Sequence, residues 1–333
     1  MQETILVLGG TGYIGSHTAH LLAQSAYNVI ILDNFVHNQP FEHPWATVVR
    51  GDYADRDLLG RICATHHISA VMHFAGLISV SESVHKPALY YKNNVLKTIA
   101  LLDVMAEHAI QTIIFSSSAA VYGQPTRIPI PEDHSKNPIN PYGRTKLIIE
   151  QLLQDYANAY GLRFVALRYF NAAGAQPEYN LGEYHVPETH IIPLAIQAAR
   201  EHKPFMIFGN NYPTPDGTCV RDYLHVADIA HAHLLALYYL NNGGVSACIN
   251  LGTGTGYSVL DIVNTVSKVV GSQLAVSYRP MRTGDPAQLV ADPTRAQEIL
   301  QWHARNSTIE TIIGSAYQAI LKKHSIYEQA IQR

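Results

Sequence analysis

The sequence predicts an α/β protein built on a doubly wound parallel sheet. Through the first 115 residues, short β-branched runs alternate with segments whose apolar residues recur at helical spacing. This rhythm requires right-handed crossovers and a parallel sheet. The chain has 333 residues, of which 47% are hydrophobic, so it can form the core of one large domain or of two lobes that share a cleft.

The predicted elements follow one another at regular intervals. The strands are short apolar runs that end at glycine or polar residues, and they cover residues 4–8, 28–32, 47–49, 70–74, 112–115 and 163–169. Helices are predicted over residues 14–25, 55–65, 90–108 and 142–160. Five prolines between residues 123 and 141 predict a long loop, and Pro141 suits the first turn of the next helix. Shorter helices are predicted over residues 191–200, 226–240 and 259–270.

Composition argues against several classes of protein. The 23 Lys and Arg residues against 26 Asp and Glu give a net charge of −3, which disfavours nucleic acid or an anionic membrane as the partner. The apolar stretches are shorter than the ~18 residues of a membrane span. Cys63, Cys219 and Cys248 lack paired spacing, and the 18 histidines are scattered, so neither a disulfide framework nor a metal site is expected. We expect a cytoplasmic protein.

A glycine-rich turn follows the first predicted strand. Gly9, Gly12 and Gly15 fit the spacing G-x-x-G-x-x-G, and Gly10, Gly12 and Gly15 fit G-x-G-x-x-G. In either register the glycines allow a sharp turn, a close approach of backbone N–H groups to a pyrophosphate, and tight packing of helix on strand. The helix N-terminus adds a partial positive charge. With a strand before it and a helix after it, the motif predicts a Rossmann-like dinucleotide site.

Two acidic residues at strand ends are candidate contacts of the adenosine half. Asp33 closes the second strand, where a carboxylate binds a ribose diol and repels a 2′-phosphate, so NAD is favoured over NADP. The alternative for Asp33 is a turn or cap residue. Asp52 follows the third strand, where it fits an adenine contact and equally a cap of the next helix. We expect an NAD-binding domain over residues 1–170 and a smaller α/β substrate lobe over residues 171–333, with an interleaved boundary.

A phenol and an ammonium four residues apart are the candidate catalytic groups. Tyr142 and Lys146 share one face of the predicted helix. A tyrosine base needs its pKa lowered from about 10 toward neutrality, and a nearby lysine together with a cationic nicotinamide acts in that direction. Such a pair is also common on the surfaces of amphipathic helices. The serines at 116–118, which end the fifth strand, add hydroxyls at the ligand-binding edge and favour the catalytic interpretation.

Longer motifs extend this interpretation along most of the chain. They are GGTGYIGSH at 9–17, ILDN at 31–34, HFAGL at 73–77, ESV at 82–84, YYKNN at 90–94, FSSSAAVYG at 115–123, PYGRTK at 141–146, LRYFN at 167–171 and IFGNNYPTPDGTCVRDY at 207–223. With them the chain resembles the extended short-chain dehydrogenase/reductase family and, within it, the UDP-hexose 4-epimerases that act on UDP-glucose and UDP-galactose. The 73–84 and 207–223 segments are the most specific part of the resemblance.

The resemblance implies a role for each matching residue near the cofactor. Tyr142 would be the base for the sugar 4-hydroxyl, Lys146 would hold the nicotinamide ribose and lower the pKa of the tyrosine, and Ser118 would bind O4. The residues implied for the NAD site are Gly9, Gly12, Tyr13, Ile14, Gly15, Asp33, Asn34, Asp52, Tyr53, Phe74, Ala75, Gly76, Asn93, Ser116, Tyr142, Lys146 and Phe170.

The resemblance also implies a site for the nucleotide-sugar. Its residues are Ser118, Tyr142, Asn171, His190, Phe208, Arg221, Arg282 and Asp285. Arg221 and Arg282 would bind the diphosphate, a geometry that suits an arginine fork, and Phe208 would lie near the uracil. The common alternative for an arginine is an ion pair on the surface.

Three positions qualify the resemblance. Ile78 stands where known members have a lysine that touches the cofactor, so one contact to NAD is missing or replaced. His190 stands where some members use asparagine toward the substrate. Leu289 matches the position that controls access of N-acetylated sugars, and its intermediate size leaves that specificity open.

The implied reaction is NAD-dependent epimerisation at C4 of a UDP-hexose through a transient 4-keto sugar, by an enzyme without a bound metal. A 4-epimerase of UDP-N-acetylhexosamines, UDP-hexuronates or UDP-pentoses is an alternative. A dehydratase is disfavoured because Ala119 and Ala120 follow Ser118 where an acid/base pair would be needed, and Tyr142 with Lys146 argues against a non-catalytic NAD sensor. The resemblance implies a homodimer built from the helices at 90–108 and 142–160, which the sequence alone permits to be either core or interface.

Overall fold

A parallel sheet of seven strands forms the centre of the protein. The computed structural model describes residues 2–36, 43–184, 187–282 and 285–331, with side chains through residue 323. Neighbouring strands of the central sheet are parallel throughout. The strand order reverses once, so the chain winds outward in both directions from the middle of the sheet. This confirms the predicted α/β fold with a doubly wound parallel sheet.

The strands of the described residues are β1 (Thr4–Leu8), β2 (Asn28–Asp33), β3 (Thr47–Arg50), β4 (Ile68–His73), β5 (Thr112–Ser116), β6 (Arg163–Tyr169), β7 (Asn171–Ala173), β8 (Phe205–Phe208), β9 (Val220–Arg221), β10 (Tyr223–His225), β11 (Ala247–Leu251), β12 (Tyr257–Ser258), β13 (Val276–Arg279) and β14 (Gln288–Leu289). The central sheet has the order β11-β6-β5-β4-β1-β2-β3. The remaining strands form three small sheets, β10-β7, β12-β9-β14 and β13-β8.

The α-helices of the described residues are α1 (Tyr13–Gln24), α2 (Arg56–His66), α3 (Val80–His85), α4 (Pro87–Tyr90), α5 (Lys97–Glu107), α6 (Pro141–Tyr160), α7 (Ile191–Arg200), α8 (Val226–Asn241), α9 (Val259–Val270), α10 (Thr294–Leu300) and α11 (Ile309–Ile331). None of these helices, within the part of the chain described, is long and apolar enough to cross a membrane.

Helices cover both faces of the central sheet. Because side chains alternate along a strand, Ile5 and Val7 of β1 face one side, where they join a cluster with α1 and α8. Leu6 and Leu8 face the other side, where they join a cluster with α2, α5 and α6. Burial on both faces explains why the strands are nearly continuous apolar runs in the sequence.

The second half of the chain contributes one strand to the central sheet and forms its own core. β11 pairs with β6, so that Ala247 lies opposite Val165 and Leu251 opposite Tyr169. A separate apolar cluster around Ile196 joins α7, α9 and α11 beyond the sheet. The two parts of the chain therefore share one sheet, and α8 of the second half packs with α1 on it, while α7, α9 and α11 form a separate core.

Two helical regions of the first half of the chain differ from the prediction, and α10 and α11 were not predicted either. The single helix predicted over residues 90–108 is divided, because a π-helical segment over Tyr91–Leu96 separates α4 from α5. At the junction of the π-helical segment and α5, the Thr98 hydroxyl donates to the Asn94 carbonyl at 2.6 Å. Such a side-chain bond competes with the regular backbone hydrogen bonds of a helix. The six-residue helix α3 was not predicted, because it is too short for apolar periodicity to register.

Candidate active site

The predicted site residues lie at one edge of the central sheet. Gly9 follows β1, Asp33 ends β2, Phe74 follows β4, Ser116 ends β5 and Phe170 follows β6. The carboxyl ends of parallel strands share an edge, and ligands of such sheets bind where the strand order reverses. In this protein β1 and β4 are the neighbours at that reversal. The fold thus brings residues that are far apart in the chain to one crevice.

The glycine turn between β1 and α1 has little space for side chains. Gly9 has a φ of +71°, and a Cβ there would lie 2.7 Å from the backbone nitrogen of Ala75. A Cβ on Gly15 would lie 2.2 Å from the Gly9 carbonyl oxygen. α1 begins after Gly12, and among the described residues no side chain caps it and no acidic residue occupies its first turn. Its free N–H groups and partial positive charge fit the pyrophosphate of a dinucleotide.

The buried carboxylate of Asp33 is fastened to the glycine turn. Its Oδ2 accepts hydrogen bonds from the Thr11 backbone N–H at 3.1 Å and the Thr11 hydroxyl at 2.6 Å. Its Oδ1 accepts from the Phe35 backbone N–H at 2.9 Å, which is the turn contact that the alternative interpretation expected. Asn34 is exposed beside it. Asp33 therefore makes a local turn and also holds the end of β2 against the predicted pyrophosphate site.

Asp52 and Tyr53 lie at the end of β3 and contact the segment around Asn93. The Asp52 carboxylate is 2.5 Å from the Lys97 ammonium, and the buried Tyr53 hydroxyl donates to the Asn93 carbonyl at 2.7 Å. The cap of α2 is Asp55, whose carboxylate accepts from a backbone N–H three residues on at 3.0 Å. The alternative that Asp52 caps this helix was wrong.

Tyr142, Lys146 and Ser118 lie close together. Tyr142 is in the first turn of α6, with the Ser118 hydroxyl near enough to its phenol to lower the pKa of Tyr142. The buried Lys146 ammonium donates to the Ser116 carbonyl at 2.7 Å. It lies 5.8 Å from the centre of the Tyr142 ring and 4.8 Å from the centre of the Phe115 ring. The phenol and the ammonium thus face the serine segment at the end of β5.

Burial acts on both of these titratable groups. It raises the pKa of Tyr142, and the hydrogen bond with Ser118 opposes this only in part. It lowers the pKa of Lys146 to about 8, against the effect of Glu150. The Tyr142–Lys146 spacing predicts a lowered pKa for Tyr142 when a cationic nicotinamide lies beside it. In the chain itself, desolvation of the phenol outweighs the effects that lower its pKa. A lowered pKa for Tyr142 therefore requires the positive charge of the nicotinamide.

The segment after β4 is held by the π-helical segment. The Leu77 backbone N–H donates to the Asn94 amide oxygen at 2.9 Å, and the Asn94 amide nitrogen donates to the Leu77 carbonyl at 3.0 Å. The Phe74 ring lies 4.6 Å from the His233 ring between centroids. Ile78, where the resemblance leads one to expect a lysine, exposes 48% of its surface. It therefore brings no polar group to the cofactor side of the crevice.

Arginine side chains of the second half lie against an acid and an aromatic ring. Arg221 is largely buried, pairs with the Asp285 carboxylate and donates to the Val220 carbonyl at 2.7 Å. The Arg282 guanidinium stacks on Phe208, 4.1 Å from the ring centre. The Asp285 N–H donates to the Arg282 carbonyl at 3.2 Å, so these groups form one region. Such supported guanidinium groups are suited to bind a diphosphate.

Asn171 and Phe170 lie immediately past β6, where the two parts of the chain meet. The Asn171 amide nitrogen donates to the Asp222 carbonyl at 2.9 Å. Phe170 and Leu289 pack on a small apolar cluster that includes Tyr122. Leu289 is half-buried, as its predicted place beside a substrate pocket requires.

His190 precedes α7 and lies between two glutamates. Its Nδ1 forms a hydrogen bond with the Glu183 carboxylate and is 3.6 Å from the Glu188 carboxylate. Burial would lower the pKa of His190, but the two carboxylates outweigh it and raise the pKa. The three ligand atoms lie within 4.8 Å of one another, a grouping the sequence analysis missed because it considered only histidine pairs on one helix. An acidic grouping alone does not identify a metal site.

A buried ion pair behind the catalytic pair was also missed. Glu150 on α6 accepts from Arg168 on β6 through two bonds, at 2.8 Å and 2.6 Å, and from the Ser117 hydroxyl at 2.6 Å. A pattern in the sequence could have drawn attention to Glu150, though not to its partner Arg168, because Tyr142, Lys146 and Glu150 recur at intervals of four residues. Side chains at that spacing share one face of a helix.

Comparison with known proteins places the chain among epimerases. It matches the NAD-dependent epimerase/dehydratase family over residues 5–252. It is 48% identical over 302 residues to a UDP-glucose 4-epimerase of Rhizobium meliloti (strain 1021), covering 90% of this chain and 92% of that one. The crystal structure of a UDP-glucose 4-epimerase from Brucella ovis in complex with NAD is 48% identical with a TM-score of 0.92, covering 95% and 97% of the two chains. That of a UDP-glucose 4-epimerase from Bifidobacterium longum in complex with NAD+ and UDP is 38% identical with a TM-score of 0.90, covering 96% and 99%. The resemblance predicted from the motifs is confirmed.

Proposed function

Because this chain belongs to the NAD-dependent epimerase/dehydratase family, we propose that it epimerises a UDP-hexose at C4 and so interconverts UDP-glucose and UDP-galactose. The observation that carries the proposal is that Ser118, Tyr142 and Lys146 lie close together at the same sheet edge as the glycine turn. The relatives described above support the choice of substrate, since UDP-glucose 4-epimerase is the activity in their names.

NAD is the cofactor, and the residues at the sheet edge fit it. The uncapped N-terminus of α1 suits its pyrophosphate, and Asp33, at the end of the neighbouring strand, suits its adenosine ribose. When bound, NAD accepts a hydride from C4 of the sugar and returns it. The chain's own residues therefore have to hold the sugar and move one proton.

We assign the proton transfer to Tyr142 and Ser118. The Tyr142 phenolate takes the proton from the 4-hydroxyl and later returns it, and the Ser118 hydroxyl hydrogen-bonds O4 and relays the proton between them. Lys146 acts by its charge, because an ammonium 5.8 Å from the centre of the ring favours the phenolate over the phenol. Its bond to the Ser116 carbonyl keeps that ammonium in place.

We assign the nucleotide end of the substrate to the second half of the chain. Arg221 and Arg282 bind the diphosphate, with Asp285 orienting the first guanidinium and Phe208 supporting the second. Asn171 and His190 are assigned to the sugar side of this site. Since the tight contacts are made to the nucleotide, the hexose is free to turn over and present its other face. Both epimers then reach the same base.

The test is to follow UDP-galactose with the purified protein. We expect UDP-glucose to form without net accumulation of NADH, and chromatography of the products measures it. Parallel incubations with UDP-N-acetylgalactosamine and UDP-glucuronate rank the related substrates. Conversion of UDP-glucuronate alone would refute the choice of hexose, and stoichiometric NADH would refute the epimerase mechanism.

Tyr142→Phe tests the assigned base. We expect this variant to keep NAD and lose turnover by at least about 100-fold, because general-base catalysis contributes 10²–10⁴-fold. Tyr156→Phe is the matched control, since it removes a hydroxyl from the same helix that donates to Asp103 at 2.6 Å. Its kcat should stay within about twofold of the wild type. Retained activity in Tyr142→Phe would assign the base elsewhere.

We also propose that the protein forms a homodimer through the helices around residues 80–107. Large apolar side chains of this region remain exposed, with Val84, Leu89 and Leu96 at 57%, 44% and 58%. Several large exposed apolar side chains within one short stretch of helices are typical of an interface. Sedimentation analysis of the purified protein tests the proposal, and a monomer at micromolar concentration would refute it.

A further inference from the structure

Three consecutive serines contact three residues of α6 that are spaced four apart. The Ser118 hydroxyl lies beside the Tyr142 phenol, the Ser116 carbonyl accepts from Lys146 at 2.7 Å, and the Ser117 hydroxyl donates to Glu150 at 2.6 Å. Two of these contacts belong to the proposed catalytic groups. The contact between Ser117 and Glu150 has no role in the mechanism described above.

The third contact is buried and is supported by further hydrogen bonds. Glu150 and Ser117 are 5% and 1% exposed, and the Glu150 carboxylate is fixed by the two bonds from Arg168. Arg168 in turn donates to the Tyr122 hydroxyl at 2.8 Å, which donates to the Asn250 amide oxygen at 2.7 Å. This buried chain of bonds joins α6, β6, β11 and the segment after β5.

We propose that Glu150 is a positioning residue for the epimerisation proposed above: held by Arg168, it fastens Ser117 and thereby keeps Ser118 and the Ser116 carbonyl in register with Tyr142 and Lys146. Ser117 lies between the two groups that contact the catalytic pair, so a shift of this residue displaces both. A misplacement of about 1 Å in such an arrangement costs up to about 100-fold in rate.

Glu150 also acts on the charge of Lys146. The titratable groups around Lys146 and Glu150 include His73 on β4, Tyr142 on α6, Arg168 and Tyr169 on β6, Cys248 on β11, and Tyr122 in the segment after β5. Burial lowers the pKa of His73 to about 3, so this imidazole is neutral, and the charge of Arg168 is bound to Glu150. Glu150 is therefore the negative group that opposes the burial of the Lys146 ammonium.

Ser117→Ala tests the positioning role without disturbing the ion pair. We expect kcat for UDP-galactose to fall about 10- to 100-fold with KM within twofold and the NAD content unchanged. Ser307→Ala is the matched control, because Ser307 is a buried serine that donates to the Asp228 carboxylate at the same 2.6 Å. This control should lose a similar amount of thermal stability while kcat stays within twofold.

A second variant and a second readout complete the test. Because Glu150→Gln would leave Arg168 unpaired in the interior, Glu150→Met is combined with Arg168→Met, a replacement that buried ion pairs often tolerate. We expect this double variant to lose at least as much kcat as Ser117→Ala. The basic limb of its kcat–pH profile should move to lower pH by about one unit, because Lys146 loses the nearby negative charge of Glu150. The ultraviolet titration of the Tyr142 phenolate in the NAD-loaded protein, with Tyr142→Phe as the blank, should move to higher pH in both variants.

The phenolate titration needs no substrate, so it separates this inference from the proposed function. A wild-type protein without turnover of UDP-galactose would refute the function, and the titration would still decide the positioning role. The inference is overturned if Ser117→Ala keeps kcat within twofold and titrates as the wild type does. It is also overturned if Ser307→Ala loses as much activity as Ser117→Ala.

Discussion

Lys146→Met removes the ammonium of the catalytic pair and keeps most of the side-chain volume. The ammonium lies 5.8 Å from the centre of the Tyr142 ring. At that distance, with an effective dielectric constant of about 20, its attraction to the phenolate is about 3 kcal/mol. Since every 1.4 kcal/mol is a factor of about ten in an equilibrium constant, the phenolate population at neutral pH should fall about 100-fold. We expect kcat to fall by the same factor.

Two measurements check this expectation. The first is kcat for UDP-galactose at saturating NAD, and the second is the ultraviolet titration of the Tyr142 phenolate, which should move to higher pH. Lys97→Met is the control for the titration, because it also removes an ammonium close to a tyrosine, 5.7 Å from the centre of the Tyr53 ring. A Lys146→Met protein whose phenolate titrates as in the wild type, or whose kcat falls less than about fivefold, would refute the electrostatic role of the lysine.

Two further predictions concern the turn and the buried imidazoles. Gly15→Ala should abolish copurification of NAD, because its Cβ would lie 2.2 Å from the Gly9 carbonyl oxygen. The control is Gly314→Ala in α11, where a Cβ meets nothing within 4 Å; this variant should keep NAD and raise the free energy of unfolding by about 0.5–1 kcal/mol. Equal NAD content in the two proteins would contradict the first expectation. Burial holds three histidines neutral with lowered pKa values, below the unfolded value of about 6.5, so their contribution to stability is complete above pH 6.5 and is lost as the pH falls. Urea unfolding at pH 7 and pH 5 should therefore differ by about 2 kcal/mol for each of them, and equal free energies at both pH values would show that they are accessible to protons. These histidines are His17 (about 4), His73 (about 3) and His233 (about 4).

Local signals in the sequence account for most of the predicted fold. The bounds of β6 (Arg163–Tyr169) and α9 (Val259–Val270) agree with the structure at both ends. For α9 these signals are a capping box at Ser258 and a left-handed glycine, Gly271, after the last turn. Local signals do not predict that β11 (Ala247–Leu251) lies next to β6, because a short apolar run does not reveal which strand it will pair with.

The candidate site shows the same division between local and distant information. The glycine turn and the Tyr142–Lys146 spacing are contained in a few consecutive residues, and the sequence predicted both. The pairing of Arg168 with Glu150 joins a strand to a helix, and only the folded chain brings these residues together. The direction in which the Tyr142 pKa moves depends on how deeply the ring is buried, which residue spacing does not specify.

The position of β11 has a consequence for the newly made protein. β6 is complete once residue 169 has been synthesised, but the strand that covers its outer side, residues 247–251, follows only much later. At translation rates of about 5–20 residues per second, this side of the sheet stays unpaired for several seconds on the ribosome. An open strand edge is a template for association with other chains. The nascent chain is therefore most exposed to aggregation, and most dependent on chaperones, during that interval.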